Sequence, residues 1–488
     1  MKFNVLFLIG LIFTGFAAFA QKSVSIISYG AKVALPDNAD AIQKAIDQIS
    51  ASGGGKVIVP SGNFVTGPLL LKNNVELYLS KGAVLLGSAR RMDYSAGKMA
   101  VISAFGQKNI AITGKGIIDG QAHELMFNMF ELLRAGKLQD TAYRNKRPQE
   151  ENRPNLVYFK GCTEVRVIGI AMKNAASWVQ NYKECRNVNI DSITVLSTSY
   201  WNNDGIDIVD SRDVMITNSH FNSADDAICL KSEIPDGVCE NVWIENCTMR
   251  SSANGFKIGT GSLGGFRNIT AKNLVVYDTY RSAIAIETVD GAFLENVKIS
   301  NVRGTNTGNA IFIRLGHRNK DNRYSSLKNV LIENVKVEVP SGKPDIGYPL
   351  EGPLPKVAAH NLVPASITGI PGHHVEDVTL RDIEISYGGG AKKDKAFVSL
   401  DSLSSITENV AGYPEFSMFG ELPAWGLYVR HARNIKLINF KVSLEKPDFR
   451  PAMVIDDVSG LRLQNVSIPE EAGKIPIIYK DVQKISRK

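Results

Sequence analysis

Three aspartates in the middle of the chain have the residue type and spacing for acid–base chemistry. Asp204 precedes the adjacent pair Asp225 and Asp226 by 21 and 22 residues. Carboxylates held close together repel one another, which raises the proton affinity of at least one of them. Hydrolysis of a glycosidic bond uses such a set, because a protonated carboxyl gives its proton to the leaving oxygen while ionised carboxylates activate water. Carboxyl groups ~6.5–9.5 Å apart leave room for that water and invert the anomeric centre.

The same three residues have two other interpretations. Aspartates often cap turns, and Asp-Gly and Asp-Asp pairs are common in loops. Clustered carboxylate oxygens also suit a hard cation such as Ca²⁺, although the backbone-and-Glu pattern of a dedicated calcium loop is missing here. Because the three carboxylates are separated by nearly the length of one structural repeat, we favour the acid–base interpretation. We therefore predict no metal and no cofactor.

A repeated phrase along the chain predicts which elements bring the aspartates together. Asn or another turn-forming residue precedes alternating apolar and polar residues, and the first apolar position recurs at 188, 214, 242, 269 and 297, at intervals of 26, 28, 27 and 28 residues. Period-two alternation indicates half-buried strands, and units this short bury their apolar face only by stacking. We predict an all-β fold, a single right-handed parallel β-helix with neighbouring strands ~4.8 Å apart. Leucine-rich repeats would need a Leu-rich consensus and a helix per repeat, and neither is visible.

Four segments depart from the ladder. Residues 37–50 have helical spacing of apolar residues, and we expect a short amphipathic helix that caps the N-terminal end of the stack. Residues 123–153, with an apolar cluster from Leu125 to Leu133, predict a helical or loop excursion. Residues 340–375 and 411–428 read as long loops, which on a solenoid commonly lie on the binding face.

The N-terminus has the pattern of a secretory signal peptide over residues 1–20. Lys2 is its only charge, an apolar run extends from Val5 to Phe19, and Ala18-Phe19-Ala20 offers a cleavage site. A membrane anchor is the alternative, but the run is shorter than the ~20 residues that span a bilayer. We expect an exported protein, periplasmic or extracellular, with residues 21–488 forming one β-helix domain and no later membrane span.

The composition excludes several classes of protein. Of 488 residues, 44% are hydrophobic and 22% charged, unlike a disordered chain or a coiled coil. The net charge of +7 is spread along the chain, which permits affinity for an acidic polymer and predicts no nucleic-acid partner. Five cysteines without a CxxC pair predict buried small side chains, with one disulfide left open. Capped ends predict a monomer.

The motifs around the aspartates resemble glycoside hydrolase family 28, the polygalacturonases and rhamnogalacturonan hydrolases. The resemblance extends over residues 25–335 and rests on motifs in the same order: Asp37-Asn38-Ala39-Asp40-Ala41-Ile42-Gln43, Gly116-Ile117-Ile118-Asp119-Gly120, Arg153-Pro154, Asn202-Asn203-Asp204-Gly205-Ile206-Asp207 and Asp225-Asp226-Ala227-Ile228-Cys229-Leu230-Lys231. It implies a right-handed parallel β-helix that hydrolyses pectic backbones with inversion and without a metal. It further implies that Asp225 is the general acid, while Asp204 and Asp226 hold and deprotonate the attacking water.

Two departures from the family pattern bear on the substrate. Where the family has Gly-His-Gly, this chain has Ala253-Asn254-Gly255, and where the family has Arg-Ile-Lys it has Ala285-Ile286-Glu287. A glutamate in place of the lysine would repel a uronate carboxylate, so a neutral sugar such as rhamnose on the leaving-group side fits better. The candidate substrate-binding residues are Trp201, Asn202, Asn254, Lys257, Arg281, Glu287, Arg314 and His317.

Aromatic side chains and two rival functions complete the prediction. Trp178, Trp201 and Trp425 are candidate stacking platforms for sugar rings, with Trp201 favoured because it lies three residues before Asp204. The leading function is an exported inverting hydrolase of a pectic poly- or oligosaccharide, with the long loops weakly favouring end-acting cleavage. A β-helix polysaccharide lyase would need a basic residue to abstract a proton. A non-catalytic carbohydrate-binding β-helix is the second rival.

Overall fold

Strands stacked coil upon coil make up most of the chain in the computed structural model. The model describes residues 22–33, 35–95, 99–144, 147–342, 360–470 and 474–487. The predicted signal peptide lies outside the described residues, so the structure leaves that prediction open. Among the described residues, no helix is both long enough and apolar enough to cross a membrane.

Twenty-nine strands are described. In chain order, β1 to β29 are Ser23–Ser25, Gly55–Val59, Gly62–Thr66, Leu69–Leu70, Val75–Leu79, Ala83–Gly87, Ala100–Phe105, Lys108–Gly114, Ile117–Asp119, Asn155–Lys160, Thr163–Ile168, Ala171–Lys173, Gln180–Lys183, Arg186–Asp191, Thr194–Ser197, Ile206–Val209, Arg212–Thr217, His220–Ser223, Ile228–Ser232, Val238–Ser251, Phe256–Ser262, Gly265–Thr288, Phe293–Leu315, Ser326–Val339, Ala365–Thr368, Val375–Tyr387, Leu427–Leu444, Met453–Gln464 and Ile477–Arg487. The two α-helices are α1, Ala39–Ala51, and α2, Ala122–Arg134. Four short 3₁₀ turns lie at Ile26–Tyr29, Arg91–Asp93, Glu150–Asn152 and Leu400–Ser405.

The strands form a right-handed parallel β-helix, as predicted from the repeats. The first apolar residues of successive repeats are register partners: Val188 pairs with Val214, Val214 with Val242, Val242 with Ile269, and Ile269 with Val297. Parallel strands joined by a crossover adopt the right-handed connection almost without exception. The repeat length read from the sequence is therefore the length of one coil.

Asparagines at the corners of the coils explain why the repeated phrase begins with Asn or Asp. Asn241, Asn268, Asn296 and Asn329 all have φ between 55° and 59°, a left-handed conformation that Asn tolerates better than most residues. Their side chains form a ladder in which each amide donates to the oxygen of the residue one coil earlier, as from Asn268 to Asn241 at 3.2 Å. The corner residues therefore both turn the chain and tie coils together.

The two helices lie where the sequence predicted excursions from the ladder. Helix α1 buries Ile42, Ala45, Ile46 and Ile49 against the first coils and so closes the N-terminal end of the core. Helix α2 confirms the predicted helical excursion and buries part of its apolar cluster. All five cysteines are buried and free, so the disulfide that the sequence left open is not formed.

The late loops differ in part from the prediction. Residues 340–375 are not one loop, because β25 and the first residue of β26 belong to coils of the ladder. Residues 343–359 lie outside the described residues. Residues 411–426 are a loop as predicted, and β27 begins at Leu427. This loop packs a small apolar cluster, including Phe416 and Phe419, against the outward-facing Phe312 and Tyr428 of the ladder.

Candidate active site

The stacked strands bring the predicted aspartates together. Ile206, Ile228 and Phe256 are register partners on three consecutive coils. Asp204 and Asp226 each lie two residues before their strand, so they occupy equivalent positions one coil apart. One oxygen of each of the three aspartates lies within 4.8 Å of the others, and the three residues are 3–6% exposed.

This spacing is tighter than expected. The sequence argument required carboxyl groups ~6.5–9.5 Å apart for an inverting reaction, whereas the nearest oxygens here lie within 4.8 Å. Three carboxylates rather than two share the site, and their nearest oxygens are closer together than the separation from which inversion was predicted.

Two buried lysines neutralise two of the three aspartates. Lys231 donates a hydrogen bond to Asp204 at 3.0 Å and another to Asp207. Lys257 donates to Asp226 at 3.0 Å. The indole of Trp178 lies against the Lys231 ammonium, 4.0 Å from the ring centroid.

The environment separates the proton affinities of the three aspartates. Burial and the charges of Asp204 and Asp226 raise the pKa of Asp225 to about 8. Burial also pushes up the pKa of Asp226, but Lys257, Lys231 and hydrogen bonds from Asn254 and Lys257 outweigh it, so the net shift is downward. Burial raises the pKa of Asp204 against the opposing charge of Lys231. At neutral pH Asp225 therefore keeps a proton while Asp226 is ionised, the division of roles that acid–base catalysis needs.

The loop before Asp204 is held by a buried arginine and an asparagine. Arg153, 1% exposed, donates to the carbonyl of Trp201 at 2.5 Å and to the side-chain oxygen of Asn202 at 2.7 Å. The Asn203 amide donates to two backbone carbonyls at 2.8 Å, one of them that of Ser177. Asn202 thus serves to orient this loop, and the half-buried Trp201 lies beside Tyr200, with ring centroids 6.0 Å apart.

Asn254, in place of the histidine of the family pattern, faces the site from one coil beyond Asp226. Its side-chain amide donates to Asp226 at 2.7 Å, its backbone N–H donates to the same oxygen, and its own oxygen accepts from the Ser282 N–H. It is 2% exposed. The structure therefore places Asn254 as a partner of Asp226 beneath the surface.

Beyond Asn254 lies a group of buried charges. Lys257 is 3.8 Å from the carboxylate of Glu287, and both side chains are almost fully buried. The ring of Tyr413, on the loop of residues 411–426 (the late loop), lies over Lys257 and over Arg281. The Lys257 Nζ is 5.6 Å and the Arg281 Cζ 5.8 Å from the ring centroid. The charge of Arg281 opposes the rise that burial causes in the pKa of Glu415, the next acid on that loop. The late loop therefore closes over the coils that follow the aspartates.

Three predicted residues lie elsewhere. The Arg314 guanidinium donates to backbone carbonyls of Gly369, Glu408 and Asn409, so it holds the segment just before the late loop. His317 stacks on Tyr324 with ring centroids 4.2 Å apart. Trp425 is 2% exposed and packs in the main core against Tyr387, so it is no stacking platform.

Sequence reasoning missed several residues that shape the site. Asp207 and Lys231 lie inside the motifs that carried the resemblance, and alternation along each strand gives them the same outward direction. Their pairing could have been found once the register was known. Tyr413 and Glu415 lie in the segment predicted as a long loop on the binding face, but nothing in the local sequence indicates that they would lie near Lys257 and Arg281.

The carboxylates also form the described groups best suited to a cation. Asp204, Asp225 and Asp226 form one such group, and Asp204, Asp207 and Cys229 form another. The Lys231 and Lys257 ammonium groups already lie 3.0 Å from two of these aspartates. Their positive charge opposes a divalent ion at the same place.

Comparisons with known proteins agree with the fold and the motifs. The model of glycosyl hydrolases family 28 matches residues 50–347. The chain is 28% identical over 304 residues to an exo-poly-alpha-D-galacturonosidase of Dickeya chrysanthemi, with 52% of this chain and 50% of that protein aligned. It is 24% identical to a polygalacturonase of Nicotiana tabacum, over 80% of this chain and 91% of that protein. The family 28 exopolygalacturonase of Yersinia enterocolitica superimposes with a TM-score of 0.57 and 20% identity, over 95% of this chain and 78% of that one, which shows the shared fold. The alignment spans about half the length of the Dickeya protein.

Proposed function

The chain belongs to glycosyl hydrolases family 28, and from that premise we propose that it hydrolyses a glycosidic bond in a pectic poly- or oligosaccharide, with inversion, at Asp204, Asp225 and Asp226. The observation that carries the proposal is the stack of three buried carboxylates whose pKa values are moved in different directions. A binding protein has no need for a carboxyl that stays protonated beside one held ionised.

The reaction follows from the positions of the protons. Asp225 gives its proton to the glycosidic oxygen as the bond to the anomeric carbon breaks. Asp226 and Asp204 orient a water on the opposite face of the sugar, and the ionised carboxylate accepts its proton as the new C–O bond forms. Exchange with solvent then returns a proton to Asp225 and removes one from the base, so no cofactor is consumed.

We propose a galacturonate-containing backbone with a neutral sugar, such as rhamnose, on the leaving-group side. Two buried cations beyond Asp226 already face acids: Lys257 faces Asp226 and Glu287, and Arg281 interacts with Glu415 and Asp225. A uronate carboxylate would therefore add negative charge to a group that is already balanced. The names of the Dickeya and tobacco relatives support galacturonate as the other sugar.

Further parts of the proposal concern access and location. The aspartates are 3–6% exposed, and the late loop, through Tyr413, closes over the following coils. A site that is enclosed on one side favours cleavage at the end of a polymer over cleavage within it. We also propose a monomer exported by residues 1–20. Size-exclusion chromatography and cell fractionation test these two points.

The experiment that tests the function measures reducing ends released from homogalacturonan and from debranched rhamnogalacturonan. Asp225→Asn is the blank, and Asp191→Asn, on the outer face of β14, is the matched control that should keep full activity. Products from rhamnogalacturonan alone support both the hydrolase activity and the neutral-sugar part of the proposal, whereas products from homogalacturonan contradict the neutral-sugar part. Absorbance near 235 nm from unsaturated products would show a lyase instead, and binding without turnover would show a carbohydrate-binding protein. Proton NMR of the first-formed anomer tests inversion.

A further inference from the structure

Glu287 is a fully buried carboxylate whose role the reaction above leaves unassigned. It is 0% exposed, and neither of its carboxylate oxygens has a hydrogen-bond partner among the described residues. The sequence placed it facing the substrate, but a side chain with no accessible surface cannot contact a sugar. A carboxylate without hydrogen-bond donors in the interior is costly, so its charged neighbours must explain why it is tolerated.

Its nearest cation is Lys257, which lies between two acids. The Lys257 ammonium is 3.0 Å from Asp226 and 3.8 Å from Glu287, and the lysine is 1% exposed. One ammonium thus divides its charge between the Asp226 carboxylate of the reaction and a second carboxylate behind it.

The surroundings contain the other charges that act on this group. Arg281 comes from the same strand as Glu287, Arg318 from the segment after β23, and Asp226 from the turn before β19. Arg314 is the register partner of Glu287 on the next coil. Tyr413 and Cys229 face Lys257 from the late loop and from β19. Among these groups, only Lys257 forms an ion pair with both Asp226 and Glu287.

We propose that Glu287 is a positioning residue that acts through Lys257: it draws part of the lysine's charge away from Asp226 and so preserves the strength of Asp226 as a base. This role rests on the proposed function, because it presumes that Asp226 accepts a proton from water. The same arrangement recurs one coil earlier, where Lys231 contacts both Asp204 and the buried Asp207. Two lysines, each shared between an aspartate of the site and a buried acid behind it, are a repeated feature of this site.

The kinetic test compares the pH profiles of kcat/KM for Glu287→Gln and Lys257→Met. Burial raises the pKa of Glu287 to about 7, so the glutamine keeps the shape and removes a charge that is present only above about pH 7. In that range the full charge of Lys257 acts on Asp226, which becomes a weaker base, and we expect kcat to fall about 3- to 10-fold with KM changed less than twofold. Below about pH 6, where Glu287 is protonated, Glu287→Gln should match the wild type. Lys257→Met should instead move the acid limb upward, because Asp226 loses its cation. Glu333→Gln, a glutamate on the outer face of β24, is the matched control.

A loss of kcat in Glu287→Gln that is confined to pH values above about 7 supports the proposal. A loss of equal size at every pH, or no loss above pH 7, would overturn it, since a merely structural glutamate alters stability without this pH dependence.

A second measurement is independent of turnover. A double-mutant cycle on unfolding at pH 8, where Glu287 is ionised, should show Glu287→Gln and Asp226→Asn coupled about tenfold or more in the unfolding equilibrium constant, because both acids share one lysine. In the Lys257→Met background the two changes should be additive. Additivity in both backgrounds refutes the inference even if the wild type cleaves pectin. If the wild type cleaves neither polymer, the proposed function fails, and the cycle still decides the inference about Glu287.

Discussion

Replacing Asp225 by asparagine should abolish turnover and, at alkaline pH, make the protein more stable. Asparagine has the shape of the protonated carboxyl and cannot ionise. Asp225 is 6% exposed, and its carboxylate accepts a hydrogen bond from the Asp226 N–H at 3.0 Å. The variant should therefore fold as the wild type does while it lacks the acid.

The magnitude follows from the proton affinity of Asp225. In the unfolded chain the carboxyl loses its proton near pH 3.8, whereas in the folded protein it keeps the proton to about pH 8. Because the folded value is raised, wild-type stability is complete below pH 4 and falls as the pH rises to about 8. A tenfold change in proton affinity is worth ~1.4 kcal/mol, so ionised Asp225 costs at most roughly 6 kcal/mol. Asp204 and Asp226 respond to the same charge and share this cost, so we expect a gain for the variant of about 2 kcal/mol or more at pH 9.

The assay is chemical denaturation of both proteins between pH 3.5 and pH 9. The difference in free energy of unfolding should be near its minimum at pH 3.5, grow through the window from pH 4 to pH 8, and then level off. Asp191→Asn should behave oppositely, because hydrogen bonds from Thr217, Asn218 and Ser192 outweigh burial and lower the pKa of Asp191. A difference between wild type and Asp225→Asn that does not change with pH would refute the assignment of Asp225 as the buried acid. Residual activity above about a tenth would contradict its catalytic role, given the 10²–10⁴-fold worth of a general acid.

Three further substitutions test the surroundings of the site. Trp178→Ala removes the ring that lies 4.0 Å from the Lys231 ammonium, and steady-state kinetics should show kcat/KM lowered by about 3- to 30-fold, with Trp178→Phe close to wild type. Arg314→Met removes the donor to one buried carbonyl and two half-buried ones and should cost about 2–4 kcal/mol in denaturation, while Arg314→Lys costs less. Burial opposes protonation of His431, but hydrogen bonds with Glu408 and Asp457 raise its pKa above the usual value. The protonated His431 therefore contributes fully to the free energy of unfolding below about pH 6.5, and this contribution is lost as the pH rises through the raised pKa. His431→Gln should remove this loss, and an unchanged pH dependence of unfolding would contradict it.

The ladder and the aspartate stack could be predicted from the sequence because both depend on one length. A parallel β-helix repeats its register every coil, so the intervals between Val188, Val214 and Val242 already gave the coil length. Two acids separated by nearly that length must then lie close together. The corner asparagines carried the same information, because few other residues accept a left-handed conformation at every turn.

The roles of the outer residues could not be predicted, because they depend on a loop that is distant in the sequence. Nothing in the local sequence around Arg314 shows that Glu408 and Asn409 will cover it. The interpretation of Trp425 was wrong for a related reason, since an aromatic residue near the end of a loop can equally begin the next buried strand. The face of the sheet to which a side chain points alternates along a strand and can be predicted from the sequence. Which strand residues an inserted loop will bury cannot be predicted in this way.

The charges around the site follow the geometry of the strands themselves. Asp207, Cys229, Lys257 and Ala285 are register partners on four consecutive coils, and Lys231 and Glu287 lie two residues further along the second and fourth strands. Side chains two residues apart on a strand point the same way, so all four charged side chains lie on one face of the ladder. In coil order they are the acid Asp207, the bases Lys231 and Lys257, and the acid Glu287. Each lysine therefore contacts one aspartate of the site and one outer acid, while Asp225, the remaining aspartate, has neither ammonium within 4.0 Å among the described residues. That asymmetry separates the two neighbours most clearly: Asp226, with Lys257 and Asn254 at hydrogen-bond distance, is ionised at neutral pH, whereas Asp225, with neither ammonium beside it, keeps its proton.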